Sequence, residues 1–188
     1  MPEAIVFGGA NGAGKSTFAR YVLPPEMSFL NADEIAKALP DDYIGNRELE
    51  SGRQLLRRMD DLAAAKHSFA TETTLASRSL APRLRELQAA GYRVILFYIW
   101  VPTPELCTQR VAQRVLGGGH HIPEATVHRR HKAGLLNLFA SYIPLANEWG
   151  VYANDDTGKP RLIANQERVY DSDVWKIITH TKEEYDAQ

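Results

Sequence analysis

The sequence lacks most of the features that would place it outside the ordinary globular proteins. Its 188 residues include a single cysteine, Cys107, so an internal disulfide is excluded and nothing indicates an oxidising compartment. No apolar run approaches the roughly 20 residues that a membrane-spanning helix needs. The first residues also lack the basic start and long apolar stretch of a secretory signal. We therefore expect a cytoplasmic protein without a membrane partner.

The chain also lacks an excess of either charge, with 22 basic and 23 acidic side chains and a formal net charge of −1. Proteins that bind nucleic acids or anionic membranes usually carry a basic excess, so we expect neither as a partner. Hydrophobic residues make up 44% of the sequence, which is enough for a sizeable core. The length suits one domain, and no repeat or linker divides it.

Short apolar runs alternate with longer amphipathic runs, a pattern typical of α/β proteins with a parallel sheet. We predict strands at 4–7, 27–31, 68–72, 92–101 and 150–153, and helices at 16–23, 47–66, 79–90, 104–116 and from 123 onward. The run at 92–101 is almost entirely apolar or aromatic, which predicts a central strand. Beyond Asn154 the pattern weakens, with a further strand indicated at 161–164 and either a strand or a helix at 174–179.

The strongest functional signal is the segment GANGAGKS at 9–16, which fits the P-loop pattern G-x-x-x-x-G-K-[ST] in full. In such a loop the glycines let successive N–H groups point at one anion, and the dipole of the next helix adds to their effect. We expect Lys15 to reach the β- and γ-phosphates of a nucleotide, and Ser16 to offer its hydroxyl to Mg²⁺. The predicted nucleotide-binding residues of the loop are Asn11, Gly12, Ala13, Gly14, Lys15, Ser16 and Thr17.

A P-loop does not name the chemistry, because it serves GTPases, transporter ATPases, motors and kinases alike. The sequence has no NKxD element for reading guanine. Transporter ATPases carry an LSGGQ signature, which neither the LGGG at 116–119 nor the SGRQ at 51–54 matches. These absences weaken the GTPase and transporter readings. From the strand–helix alternation and the P-loop we predict a single three-layer, kinase-like P-loop domain over 1–188, with a mostly parallel sheet and helices on both faces.

Two acidic residues follow predicted strands, where ligands of open α/β sheets bind. Asp33 is a candidate base for an acceptor hydroxyl, although an Asp in front of an apolar helical run is equally typical of a helix N-cap. Glu72 ends the third strand beside hydroxyl residues. It suits acceptor binding or a contact with Mg²⁺, and a solvated loop acid is the alternative.

Two basic helices joined by glycines are typical of a lid whose cations close over the phosphates. Arg110 and Arg114 lie one turn apart on the helix predicted at 104–116, and Gly117 to Gly119 break that helix. We predict a lid around 104–137, against the alternative of two solvated helix faces.

In its ordered motifs the sequence resembles the zeta-toxin-like family of P-loop kinases, especially its short, single-domain branch. The resemblance runs from about Ile5 to Asp155 and rests on the order of six elements. These elements are GGANGAGKST, LNADEIA, FATETTLAS, RVILFYIWV, RVAQRVLGGGHHIPE with HRRH, and PLANEWGVYAND.

The resemblance implies a kinase that moves the γ-phosphate of ATP to a sugar hydroxyl, which in the known toxins belongs to UDP-N-acetylglucosamine. It implies a base role for Asp33 and an E-x-T contact of Glu72 and Thr74 with the acceptor. It also implies that Arg110 steadies the transferred phosphate, with help from Arg114, and that a small antitoxin protein can block the nucleotide site.

The sequence departs from the family in two places. The larger toxins place a second phosphate-binding arginine where this chain has His120 and His121, so we assign His120 to the nucleotide. The region that shapes the UDP-sugar pocket is also shorter. A kinase of another hydroxyl metabolite, such as a nucleoside or antibiotic, and a nucleotide-gated protein-binding module therefore remain alternatives.

Overall fold

The computed structural model describes residues 1–40, 42–118, 121–155 and 159–187. Within these ranges the strands are β1 Glu3–Gly8, β2 Ser28–Leu30, β3 Phe69–Thr73, β4 Arg93–Trp100, β5 Glu148–Ala153 and β6 Arg161–Asn165. The helices are α1 Lys15–Val22, α2 Ala32–Lys37, α3 Arg47–Ala64, α4 Leu80–Ala89, α5 Pro104–Leu116, α6 Glu124–Asn137 and α7 Ser172–Asp186. A π-helical turn, Leu138–Tyr142, follows α6 directly.

The strands form one sheet in the order β2-β3-β1-β4-β5-β6. The first five are parallel, and β6 alone pairs with its neighbour in the antiparallel sense. The predicted mostly parallel α/β fold is confirmed, and β4 is central as predicted, between β1 and β5. The carboxyl ends of β1, β2 and β3 therefore lie at the same edge of the sheet.

Two cores, one on each face of the sheet, explain the three layers. Alternate residues of β1 divide between them, since Ala4 and Val6 face one core while Ile5 and Phe7 face the other. Helices α3, α4 and α7 cover the first face, and helices α1 and α5 cover the second. This division is what the period-2 alternation of a buried parallel strand requires.

The segment after Asn154, which the sequence left open, forms an edge strand and a helix. Its helix α7 begins at the N-cap Asp171, whose side chain accepts a hydrogen bond from the Val174 N–H at 3.0 Å. Ile178 is fully buried, and the Trp175 ring stacks on Trp149 with centroids 6.2 Å apart. The 174–179 run is therefore helical because one of its faces closes the core. In the described part of the chain no helix combines the length and apolarity that crossing a bilayer demands.

Candidate functional site

The P-loop connects β1 to α1 and has the curled backbone that its glycines predict. Gly9, Gly12 and Gly14 have φ angles of +142°, +81° and +91°, in the region that side chains disfavour. A Cβ atom on Gly12 would stand 2.5 Å from the carbonyl oxygen of Cys107. Helix α5 therefore packs directly against the backbone of the loop, at a distance only glycine permits.

Lys15 lies inside this loop rather than in solvent. Its side chain is buried, and its Nζ donates a hydrogen bond to the carbonyl oxygen of Ala10 at 3.0 Å. Burial lowers the pKa of Lys15, and the negative charges of Glu72 and Asp33 oppose that shift. Arg114 adds a smaller lowering. The ammonium group thus has the two predicted acids and one predicted arginine in its electrostatic environment.

Glu72 connects the P-loop to the neighbouring strand ends. Its two carboxylate oxygens accept hydrogen bonds from the Ser16 hydroxyl at 2.7 Å and from the Asn31 side-chain amide at 2.9 Å. The register of β3 beside β1, which pairs Glu72 with Phe7, brings the two partners together. The structure therefore places Glu72 at the hydroxyl that the sequence assigned to Mg²⁺.

Asn31, which no sequence motif above marks as functional, organises this edge of the sheet. Its Oδ1 accepts hydrogen bonds from the backbone N–H groups of Asp33 at 2.7 Å and Glu34 at 3.3 Å, so Asn31 is the N-cap of α2. The alternative that Asp33 caps this helix is wrong. Asp33 lies exposed in the first turn, where its carboxylate is available to a ligand. An Asn two residues before the acids was the sequence signal for this cap.

A second asparagine, Asn154, braces the loop from the end of β5. Its side-chain amide donates to the carbonyl oxygen of Ala13 at 2.8 Å, and its own carbonyl oxygen accepts from Arg110 at 3.1 Å. A Cβ atom on Gly14 would stand 2.6 Å from the Asn154 amide nitrogen. Asn154 thus connects the predicted Arg110 to the P-loop. Because Asn154 lies 141 positions away from Ala13 in the sequence, no local pattern indicates this contact.

Thr74 belongs to a constrained segment after β3. Its hydroxyl accepts from the Ala76 N–H at 3.4 Å, and a Cβ atom on Gly134 of α6 would stand 2.5 Å from its carbonyl oxygen. The next residue, Leu75, is fully buried with a φ angle of +55°. Its carbonyl oxygen accepts from the Asn137 amide at 2.8 Å. The predicted acceptor-contacting segment is therefore fixed by the second half of α6.

The remaining predicted residues divide by exposure. Asn11 and Ala13 are buried, Thr17 and Arg114 are exposed, and His120 lies outside the described residues. Across the described ranges, no group of three or more His, Cys, Asp or Glu side chains could hold a metal ion. The Ser16 and Glu72 oxygens nevertheless fit Mg²⁺, which takes hydroxyl and carboxylate ligands together with phosphate oxygens and water.

Comparison with known sequences identifies the family. The sequence model of a family described as an AAA domain matches residues 5–133. An uncharacterized protein of Haemophilus influenzae is 28% identical over 129 residues, which cover 69% of this chain and 92% of its own.

Comparison with solved structures agrees on a P-loop kinase-like fold. A chain of the AvrRxo1-ORF1:-ORF2 complex with ATP matches with a TM-score of 0.77 and 18% identity, over 95% of this chain and 64% of that one. The chain therefore spans less than two thirds of that protein. The PezAT toxin-antitoxin system of Streptococcus pneumoniae matches with a TM-score of 0.61 and 16% identity, over 98% of this chain and 86% of the other. At these identities the likeness concerns the fold.

Proposed function

The chain belongs to the AAA domain family of P-loop proteins, and from this premise we propose that it is an ATP-dependent phosphotransferase. It would move the γ-phosphate of ATP to a hydroxyl group of a small molecule. One observation carries the proposal: the Glu72 carboxylate accepts hydrogen bonds from the P-loop hydroxyl of Ser16 and from Asn31, and Asn31 also accepts the backbone N–H of Asp33, so that a second acid lies close to the loop. Transfer to a hydroxyl needs a base placed to take the acceptor's proton, and an exposed carboxylate beside the loop meets that need.

The loop at 9–17 binds the triphosphate in this proposal. The N–H groups between Gly9 and Ser16 point inward around the β-phosphate, as the positive φ angles of the glycines allow. Lys15 exchanges its contact with the Ala10 carbonyl for phosphate oxygens, which also relieves the cost of a buried, incompletely paired ammonium. ATP bound in a related fold supports this nucleotide as the donor.

Ser16 and Glu72 are the residues that would hold Mg²⁺. When bound, the ion neutralises charge on the β- and γ-phosphates. The contact between the Ser16 hydroxyl and the Glu72 carboxylate supports a magnesium role for Glu72. That role differs from the acceptor contact that the family resemblance implies, and the two make different predictions. Thr74 remains the acceptor contact in either case.

Asp33 is the proposed general base. It accepts the proton of the acceptor hydroxyl while the hydroxyl oxygen bonds to the γ-phosphorus. The bond from that phosphorus to the β–γ bridging oxygen breaks, and ADP leaves with the electron pair. Exposure of Asp33 at the sheet edge, with its backbone N–H fixed by Asn31, supports this role.

Arg110 and Arg114 supply positive charge to the transferred group. Arg110 is held beside the P-loop by Asn154, and Arg114 acts electrostatically on Lys15. We further propose that α5 and α6 form the lid predicted at 104–137, with His120 as an additional nucleotide contact. The acceptor would be a UDP-N-acetyl-sugar or another hydroxyl metabolite. A small antitoxin-like protein is a proposed partner, by analogy with the toxin-antitoxin system of similar fold.

Calorimetry and a coupled ADP assay test the proposal together. Wild type should bind ATP only in the presence of Mg²⁺, and a panel of UDP-N-acetylglucosamine, nucleosides and aminoglycosides should reveal acceptor-dependent ADP release. Lys15→Ala should lower that release by at least about 100-fold, because it removes the main cation at the reacting phosphate. Lys37→Ala is the matched control, since Lys37 is exposed and pairs with Glu34.

Two outcomes would contradict the proposal. Absence of magnesium-dependent affinity for adenine nucleotides in the wild type would remove its premise. Nucleotide binding without ADP release for any acceptor, together with a protein partner that binds one nucleotide state, would instead indicate a nucleotide-gated binding module.

A further inference from the structure

Helix α6 contacts the P-loop at a residue pair that the site described above does not use. The Arg130 Nη1 donates a hydrogen bond to the Asn11 Oδ1 at 3.0 Å, across 119 positions of the sequence. Asn11 is buried, with 8% of its surface exposed, and Arg130 is half-buried. The guanidinium group of Arg130 therefore lies against the loop itself rather than in solvent.

The position of Asn11 shows which part of the P-loop Arg130 contacts. Its neighbour Ala10 accepts the hydrogen bond from the Lys15 ammonium group. In a P-loop that ammonium group serves the β- and γ-phosphates. The contact of Arg130 with Asn11 therefore places a second cation at the end of the loop where the γ-phosphate of a bound nucleotide lies.

Arg130 projects from a rigid support. The next residue, His131, is buried, and its two ring nitrogens lie 2.9 Å from the Val101 carbonyl oxygen and 3.0 Å from the Tyr185 hydroxyl. Val127 and Leu135, on the same helix, are fully buried. Helix α6 is thus fixed in rotation against the sheet and α7, and this fixes the direction in which Arg130 leaves it.

The charge of Arg130 has no carboxylate counterion in the described part of the chain, where its contact is the neutral amide of Asn11. A half-buried guanidinium without an opposite charge is costly unless an anion completes the site. Arg129, the preceding residue, is exposed instead. An anion bound at the P-loop would supply the opposite charge that Arg130 lacks there.

We propose that Arg130 is a catalytic residue of the transfer reaction, whose guanidinium contacts an oxygen of the γ-phosphate. It would stabilise the negative charge that spreads over the transferred phosphoryl group, as an arginine finger supplied in cis does. Asn11 orients the group through Nη1 and leaves the other N–H donors for the phosphate. This inference rests on the proposed phosphotransferase function.

The test compares Arg130→Gln with Arg129→Gln, which removes the same charge one position away. In Arg130→Gln we expect kcat for acceptor-dependent ADP release to fall about 100- to 1000-fold, the loss typical of one transition-state donor. Calorimetry with Mg²⁺ should show about 10-fold weaker binding of AMP-PNP, a non-hydrolysable ATP analogue, because one charged hydrogen bond is lost. Affinity for ADP should stay within about twofold, since only the γ-phosphate is contacted. Arg129→Gln should match the wild type.

A structural role for Arg130 predicts a different pattern. It would weaken ADP and AMP-PNP equally, or lower the melting temperature, and either result overturns the proposal. Arg130→Ala with added guanidinium chloride gives a second readout, in which partial recovery of kcat is expected only for a group that touches the phosphate. If both Arg130 variants fail to fold, the arginine is structural and the proposal is wrong. If the wild type binds no nucleotide, the proposed function itself is wrong. If the wild type is active and Arg130→Gln has the same kcat, only the inference about Arg130 is wrong.

Discussion

The two sides of the candidate site are built in different ways. On the donor side, Lys15 and Asn11 are buried within one continuous loop, and that loop is braced by Asn154 and α5. On the proposed acceptor side, Asp33 follows β2 and is linked through Asn31 to Glu72, which ends β3. The proposed donor side is thus one continuous loop suited to a triphosphate, while the proposed acceptor side is assembled from distant parts of the chain.

The two sides of the candidate site also differ in the charge of their side chains. The P-loop side presents the cations Lys15, Arg110, Arg114 and Arg130, whereas the ends of β2 and β3 present two carboxylates, Asp33 on the proposed acceptor side and Glu72 between the two sides. The side-chain amide of Asn11 and two backbone carbonyls hold Lys15, Arg110 and Arg130 in place. Asp33, the proposed base, is exposed. This arrangement suits a rigid phosphate clasp next to an open position that different hydroxyl acceptors can enter.

The largest expected effect comes from the acceptor side. Asp33→Asn should lower acceptor-dependent phosphoryl transfer by about 100- to 10,000-fold, the range for loss of a general base. The affinity for MgATP should stay nearly unchanged, because the P-loop is intact. A coupled ADP assay measures the first quantity and calorimetry the second.

Glu34→Gln is the matched control for this prediction. Glu34 also lies in the first turn of α2, but its carboxylate pairs with Lys37 at 3.0 Å on the exposed surface. Its removal should leave transfer almost unaffected. Normal activity in Asp33→Asn would show that another group takes the proton. The proposed assignment of a base to the acceptor side would then be wrong.

The second prediction concerns the donor side. Gly12→Ala should destabilise the protein by about 2–5 kcal/mol, because a Cβ there is strained at φ +81° and meets the Cys107 carbonyl of α5. Magnesium-dependent ATP binding should be lost with it. Gly91→Ala is the control, since Gly91 has φ +90° but no atom near its would-be Cβ. Urea unfolding of Gly91→Ala should show only the cost of the backbone strain, about 1–2 kcal/mol. Equal losses of stability in the two variants would mean that α5 moves away from the added Cβ of Gly12→Ala at little cost.

The two sides also differ in how far the sequence predicts them. The P-loop between Gly9 and Ser16 and helix α5 follow from local patterns, because a contiguous motif and a Pro-led amphipathic run each specify their own geometry. The parallel order of the strands follows from their alternation with helices. By contrast, Asn31 and Asn154 act through partners 41 and 141 positions away. A single sequence does not contain that pairing, because it depends on which strands become neighbours.

The third prediction decides between two roles for Glu72. Because its carboxylate accepts the Ser16 hydroxyl, Glu72→Gln should raise the Mg²⁺ concentration for half-maximal activity by about 10- to 100-fold, the usual cost of altering a metal's supporting ligands. The KM for the acceptor should change much less. An increase in that KM at unchanged magnesium dependence would return Glu72 to the acceptor. Glu86→Gln, an exposed acid that pairs with Arg83, is the control.

The smallest expected effect is a pH dependence of stability that originates in helix α6, the support of the donor-side arginine. Burial lowers the pKa of His131 below its ordinary value of 6.5. The neutral ring donates a hydrogen bond from Nε2 to the Val101 carbonyl oxygen, and its Nδ1 accepts a hydrogen bond from the Tyr185 hydroxyl. Below pH 6.5 the unfolded chain binds the proton more readily than the folded one, so the stabilisation is complete above that pH and is lost as the pH falls. The free energy of unfolding, measured in urea between pH 7.5 and 5.5, should rise with pH by up to about 1.4 kcal/mol per pH unit because of this group.

Two variants check the origin of this slope. The slope should shrink in His131→Gln and persist in His180→Gln, since His180 is exposed. Identical slopes in all three proteins would mean that the buried histidine does not couple α6 to pH.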